Sequence, residues 1–196
     1  MSEVSNAVDL IFYYLRSNLN NHVRNLANKK IQQLKNEGNT DVLFFWKAIA
    51  LIYQGELSNA TKLLRKVKKK KAMELPASIG LIFAHKRQKN IDREAIKELE
   101  DFAKSALTRA DLTALIAGAR VCMLTGSLTL GRQIAKRAGQ RPDGVMASHG
   151  LSGWLEMYRS PQPDMEAANG FFSKGVIGVE SSQKSLDSML GRLEYF

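Results

Sequence analysis

The residues of this chain best suited to chemistry are few and stand far apart. Gly126-Ser127-Leu128-Thr129-Leu130-Gly131-Arg132 has the glycine spacing of a phosphate-binding loop. Such a loop needs a strand before it, and Lys then Ser/Thr after its second glycine, to hold phosphates and Mg²⁺. Here Arg132-Gln133 follows and a helical pattern precedes, so the two glycines read as a turn and a close helix contact. His22, His85 and His149 lie in separate stretches. None has a second His, Cys or carboxylate three or four residues away in a metal-site pattern. His85 follows Ile82-Phe83-Ala84 and reads as a helix-end or partner-facing residue. Cys122 occupies an apolar slot, where a thiol behaves as a small hydrophobe. Asp92-Arg93-Glu94 and Glu98-Leu99-Glu100-Asp101 lie near a helix start, where negative charge is favoured. No catalytic, metal or cofactor site emerges, and the expectation is a protein that is not an enzyme.

Charge offers a binding chemistry instead. The chain has 196 residues, 29 basic against 19 acidic, for a net charge of +10. That balance invites nucleic acid or an acidic protein partner. The densest run is Lys66 with Lys68, Lys69, Lys70 and Lys71. It falls where one structural unit ends and the next begins, so it reads either as a solvated turn or as a candidate basic surface. Other cations, such as Arg132, Lys136, Arg137 and Arg141, are scattered.

The elements that must position these residues repeat every 35 to 37 residues. Val23, Ala60, Ala95, Gly131 and Ala168 are separated by 37, 35, 36 and 37 residues. Ala27, Leu64, Leu99, Ala135 and Phe172 come four later, and Lys30, Val67, Phe102, Ala138 and Gly175 three further on. A 0, 4, 7 spacing is one stripe of an α-helix. A second register of small residues precedes it at Ala48, Gly80, Ala119, Gly153 and Gly191. Each unit is therefore a helix, a turn and a second helix. Such a period predicts an all-α, right-handed superhelical solenoid of tetratricopeptide-like hairpins. Arrays of this kind usually hold other proteins.

Five hairpins are expected, over about 4–36, 41–68, 75–105, 110–138 and 145–175, as a single array. Asp41 can cap a helix running to Gln54, and Asp92 is a second cap. Pro76 suits the first turn of its helix. The helix after Asp41 has almost no polar face, as an inner helix buried on several sides requires. Residues 185–196 read as one further helix, the start of a sixth unit. Their apolar Met189, Leu190, Leu193, Tyr195 and Phe196 suggest a fragment of a longer array or an end that docks on a partner.

In tetratricopeptide arrays the first helix of each pair lines the concave groove. The residues just after the small slot are Phe12, Ile49, Leu81, Arg120 and Trp154. Four of these five are apolar. A nucleic-acid groove would interleave Lys/Arg with exposed aromatics, and a carboxylate clamp would show Lys and Asn here. An apolar groove suits an apolar partner helix, or packing of the array onto itself. The lone cysteine excludes an intramolecular disulfide and points to a reducing compartment. With no basic-then-apolar leader and no apolar stretch near the ~20 residues a span requires, a soluble intracellular protein without membrane insertion is expected.

A family resemblance extends this reading. Phe44, Ala48, Leu51, Gly55, Leu57, Ala60, Leu64 and Val67 stand at the tetratricopeptide spacing. Leu81-Ile82-Phe83-Ala84-His85-Lys86, together with Asn90-Ile91-Asp92-Arg93-Glu94-Ala95-Ile96, resembles the third hairpin of the tetratricopeptide repeat domain twenty-one family. Gly153-Trp154-Leu155, Ala168-Asn169-Gly170-Phe171-Phe172-Ser173-Lys174-Gly175 and Met189-Leu190-Gly191-Arg192 add to the likeness. It runs in order from about residue 8 to the end and matches the N-terminal part of that family. The Lys68–Lys71 run and the Gly126–Gly131 stretch depart from the pattern. The resemblance implies a scaffold subunit of intraflagellar transport complex A, acting in retrograde ciliary transport. It further implies contacts with other complex A subunits and with dynein-2 transport particles, and residence in the cytoplasm and cilium. Acidic protein tails are a further partner class, while a nucleic-acid-binding helical repeat and an adaptor for acidic peptide tails are the alternatives.

Overall fold

The computed structural model describes residues 3–34, 40–159 and 162–177. Their regular structure is entirely helical. The helices are α1 (Glu3–Arg16), α2 (Asn20–Gln33), α3 (Asp41–Tyr53), α4 (Leu57–Lys68), α5 (Glu74–Lys86), α6 (Arg93–Arg109), α7 (Leu112–Thr125), α8 (Leu128–Gly139), α9 (Val145–Met157) and α10 (Met165–Ile177). A 3-10 turn, Lys71–Met73, leads into α5. Odd and even helices pair as five hairpins stacked in chain order, which is the architecture of a helical-repeat solenoid. The further helix expected at 185–196 lies outside the described residues.

The core runs along the stack rather than into one centre. Eight of the thirteen residues of α3 are buried, among them Phe45, Trp46, Ile49 and Ile52. Burying one such large side chain stabilises the fold by about 1.5–3 kcal/mol, so the nearly all-apolar sequence of α3 holds α1, α2, α4 and α5 around it. The recurrent small residues set the spacing. A Cβ at Gly80 would stand 3.1 Å from both Ile49 Cδ1 and Leu64 Cδ2, and one at Gly153 would stand 2.6 Å from the Phe172 ring. Gly131 lies between Cys122 of α7 and Leu155 of α9.

Turns follow local chemistry. Gly55 and Gly126 take φ of +81° and +72°, in the left-handed region that lets the chain reverse after α3 and α7. The Asp92 carboxylate accepts from Ala95 N at 2.9 Å, and Asp111 from Ala114 N at 2.8 Å, capping α6 and α7. Asp41 is no cap. It is the first helical residue of α3, after Thr40, and its charge acts on the helix dipole from within the first turn.

The third unit breaks the regular stacking. Elsewhere the second helix of a hairpin leans on the first helix of the next: α2 on α3, α4 on α5, α8 on α9. Here α7 packs directly against α5 and scarcely meets α6. Only Ala110 and Asp111 join α6 to α7, which leaves no room for the longer swing made elsewhere. Small residues permit the approach: a Cβ on Gly118 would be 3.4 Å from Leu75 Cδ2. With α7 seated on α5 in its place, α6 turns a shifted stripe inward. Ile96, Ala103 and Ala106 are buried, whereas Ala95, Leu99 and Phe102 of the expected stripe are half-buried.

Candidate binding surfaces

The five residues expected to line a groove do not share one open surface. Ile49 and Leu81 are correctly placed on inner helices, but they are buried core residues and offer no face to a ligand. At Gly80 the Ile49 and Leu64 side chains come within 3.1 Å of where a Cβ would stand, so α3, α4 and α5 close over this part of the face. Phe12, Arg120 and Trp154 are half-buried instead, and they meet other inner helices. Arg120 Nη2 donates to Asp9 Oδ1 at 2.8 Å, joining α7 to α1 across 111 residues of chain. Its guanidinium also lies 5.3 Å from the centre of the Phe12 ring, and that ring meets Trp46 edge-on at 6.1 Å. Arg120 is thus engaged by a carboxylate of its own chain, and the inner face is packed on itself here.

The ends of the inner helices form a second cluster that the slot rule missed. Arg16 of α1 lies 4.5 Å from the Trp154 ring centre and 5.6 Å from that of Tyr158. Arg87, just past α5, stacks over Phe83 at 5.1 Å and Tyr53 at 5.4 Å. Tyr53 Oη donates to the Leu124 carbonyl. Burial raises the phenol pKa of both Tyr53 and Tyr158, with Arg87 and Arg16 respectively opposing the shift. A cleft of about 320 Å³ opens among Tyr13, Arg16, Ser17, Trp154, Met157 and Tyr158. The signal was present in the sequence. Arg16, Tyr53, Arg87, Leu124 and Tyr158 follow one another at alternating steps of 37 and 34 residues.

The outer basic run divides. Lys69, Lys70 and Lys71 are exposed, as are Lys62, Arg65 and Lys66 on α4. Lys68 turns away: its Nζ sits 3.8 Å from the Phe102 ring centre, joining α4 to α6. Burial there lowers its pKa, partly opposed by Glu74. Lys66 covers Phe44 at 5.5 Å.

The residues with potential chemistry are accounted for by the fold. Gly126 ends α7, and Gly131 is a helix contact within α8. Cys122 is fully buried and its thiol is pushed up to about 12 by desolvation. His22 is exposed beside Tyr14, with ring centres 5.6 Å apart. His85 does stand at a helix end, but it is buried, not partner-facing, and its Nδ1 has no hydrogen-bond partner among the described residues. Among the described residues, no group of three His, Cys, Asp or Glu is arranged to hold a metal, and no helix is long and apolar enough to cross a membrane.

With this geometry in view, comparison with known proteins is specific. Residues 11–196 match the family model described as the tetratricopeptide repeat protein 21 N-terminal ARM repeat. The chain is 26% identical over 186 residues to tetratricopeptide repeat protein 21B of Xenopus laevis, covering 95% of this chain and 14% of that protein. It is 29% identical over 167 residues to the Homo sapiens 21B protein, covering 85% of this chain and 12% of the relative. Against Homo sapiens tetratricopeptide repeat protein 21A the identity is 25% over 186 residues, again 95% of this chain and 14% of the relative. The chain therefore spans roughly one seventh of the length of these relatives. The stacked two-helix units and a family match across nearly all of the sequence agree, and the chain belongs to the tetratricopeptide repeat protein 21 family, in its N-terminal helical-repeat region.

Proposed function

We propose that the chain is a non-enzymatic protein-binding scaffold, part of a subunit of intraflagellar transport complex A that acts in retrograde ciliary transport. The observation that carries this reading is the family match over residues 11–196. The architecture supports it, because stacked hairpins offer long continuous surfaces on rigid elements. On this reading the partners are other complex A subunits and dynein-2 transport particles, and the protein resides in the cytoplasm, at the ciliary base and along the axoneme. The outer face and the arginine–aromatic ends of the inner helices are the surfaces left for those partners, since much of the inner face is filled by its own side chains.

The test is affinity capture of the tagged protein from ciliated cells, with the bound proteins identified by mass spectrometry. Recovery of complex A subunits in stoichiometric amounts is the expected result. Capture that yields none of them, from cells in which the particle is intact, would overturn the proposal.

A further inference from the structure

Leu57 to Met73 contains seven cations, Lys62, Arg65, Lys66 and Lys68 to Lys71, and no acidic residue. The 29 basic residues less these seven leave 22 against 19 acids, so this one stretch carries most of the net charge of +10. Folding organises it. Lys62, Arg65, Lys66 and Lys69 recur at helical i, i+3, i+4, i+7 spacing along one exposed stripe of α4. The 3-10 turn carries Lys71 on from its end, with Lys70 just before it.

Several cations elsewhere have carboxylate partners: Arg24 with Glu56 at 3.0 Å, Arg109 with Glu74 at 3.0 Å, Arg132 with Glu156 at 2.9 Å, Lys104 with Asp101 at 2.9 Å. Among the described residues, Lys62, Arg65, Lys69, Lys70 and Lys71 have none. Uncompensated like charges on one helix face repel one another, so a binding partner of opposite sign relieves a local strain that the fold itself leaves.

We propose that the α4 stripe and the following turn form a docking surface for an acidic, Glu/Asp-rich polypeptide segment. The chemistry of the patch selects this partner over other polyanions. Five of its six outward cations are lysines, which act as hydrated point charges on flexible stems, whereas planar bidentate recognition of phosphate favours arginine. The aromatic rings beside it, Phe44 and Phe102, lie under Lys66 and Lys68 and are covered against base stacking. None of the well-exposed large apolar residues (Leu10, Tyr13, Leu19, Ile91, Val145 and Met165) lies on α4 or its turn, so the stripe lacks the apolar anchor that would seat it in a bilayer. A carboxylate-rich chain needs only flexible charges at intervals of a few ångströms.

This inference deepens the scaffold reading, yet it is tested on the purified 196-residue chain and can fail or succeed without it. Fluorescence anisotropy with a labelled 15-residue polyglutamate peptide is the direct measurement. Binding is expected in the micromolar range at about 50 mM salt, weakening about tenfold or more by 200 mM as screening rises. Lys69→Glu/Lys70→Glu/Lys71→Glu, all at exposed positions, is expected to weaken binding at least tenfold with unchanged thermal unfolding. Lys89→Glu/Arg93→Glu, also exposed but off the stripe, leaves it within twofold. Absence of micromolar binding at 50 mM salt, or equal loss in both variants, would overturn the proposal. So would tighter binding, under the same conditions, of single-stranded RNA or of phosphatidylserine vesicles.

Discussion

Glycine positions give the sharpest tests at the residue scale, because the sign of a substitution follows from what its Cβ would meet. At Gly144, in the turn before α9, a Cβ would overlap the carbonyl oxygen of Ala138, a backbone atom that cannot rotate away. Gly144→Ala is expected to cost about 1–3 kcal/mol, the usual penalty of overpacking. Gly170, inside α10, has open space around it and an ordinary helical φ. Gly170→Ala is expected to stabilise the chain by about 0.5–1 kcal/mol through the helix preference of alanine. Urea midpoints of the two variants, compared at a common slope, read both signs in one experiment. Cys122 gives a second test. Its unfolded thiol ionises near 9.0, while burial moves the folded one to about 12. The contribution to stability is therefore full below pH 9 and is lost as pH rises from 9 toward 12, since only the unfolded chain releases its proton in that window. The buried phenols of Tyr53 and Tyr158 shift in the same direction. At pH 8 the thiol is expected to resist Ellman's reagent until the chain unfolds, and rapid labelling of the native protein would contradict its burial.

Among the elements, α1 is held differently from the rest. It touches α2 and α3 locally, then reaches across to α7 through Asp9 and Arg120, and to α9 through Arg16 and Trp154. Arg120→Ala removes the first of these bridges. Amide exchange in α1 is expected to speed up by about fivefold or more, while α3 and α5 keep their protection, because a contact of this kind controls local opening rather than the buried centre. Unchanged exchange in α1 would show that the bridge holds nothing. How much of the fold was legible in the sequence varies by element for physical reasons. The hairpins, their turns and the cap at Asp92 could be read because periodic burial and capping are local properties. The shifted stripe of α6 could not, because it depends on α7 packing over α5, and that follows from a two-residue connector and Gly118 acting together. The groove residues were legible as positions on inner helices but not as surface. Exposure of Ile49 and Leu81 is decided by how closely neighbouring helices come, and Arg120 finds Asp9 only after two hairpins have stacked between them. Arg16, Tyr53, Arg87 and Tyr158 obey the repeat as faithfully as the small residues do, but they occupy the last turn, where attention to the small slot does not look.

At the scale of the molecule, an array that fills much of its inner face with its own side chains must bind chiefly through its ends and its outer helices. The family supplies the helical-repeat architecture, and the distribution of charge supplies its one-sidedness, with the α4 face basic and free of acidic residues. The self-packed inner face rests on the first hairpin folding back onto the fourth and fifth. The most direct measurement is the NMR chemical shift of the Arg16 side-chain methylenes, which lie beside the indole of Trp154. The stacked inner face predicts upfield, ring-current-shifted Arg16 resonances that return toward ordinary values in Trp154→Leu. Ordinary Arg16 shifts in the wild-type protein, with its helices intact, would contradict it.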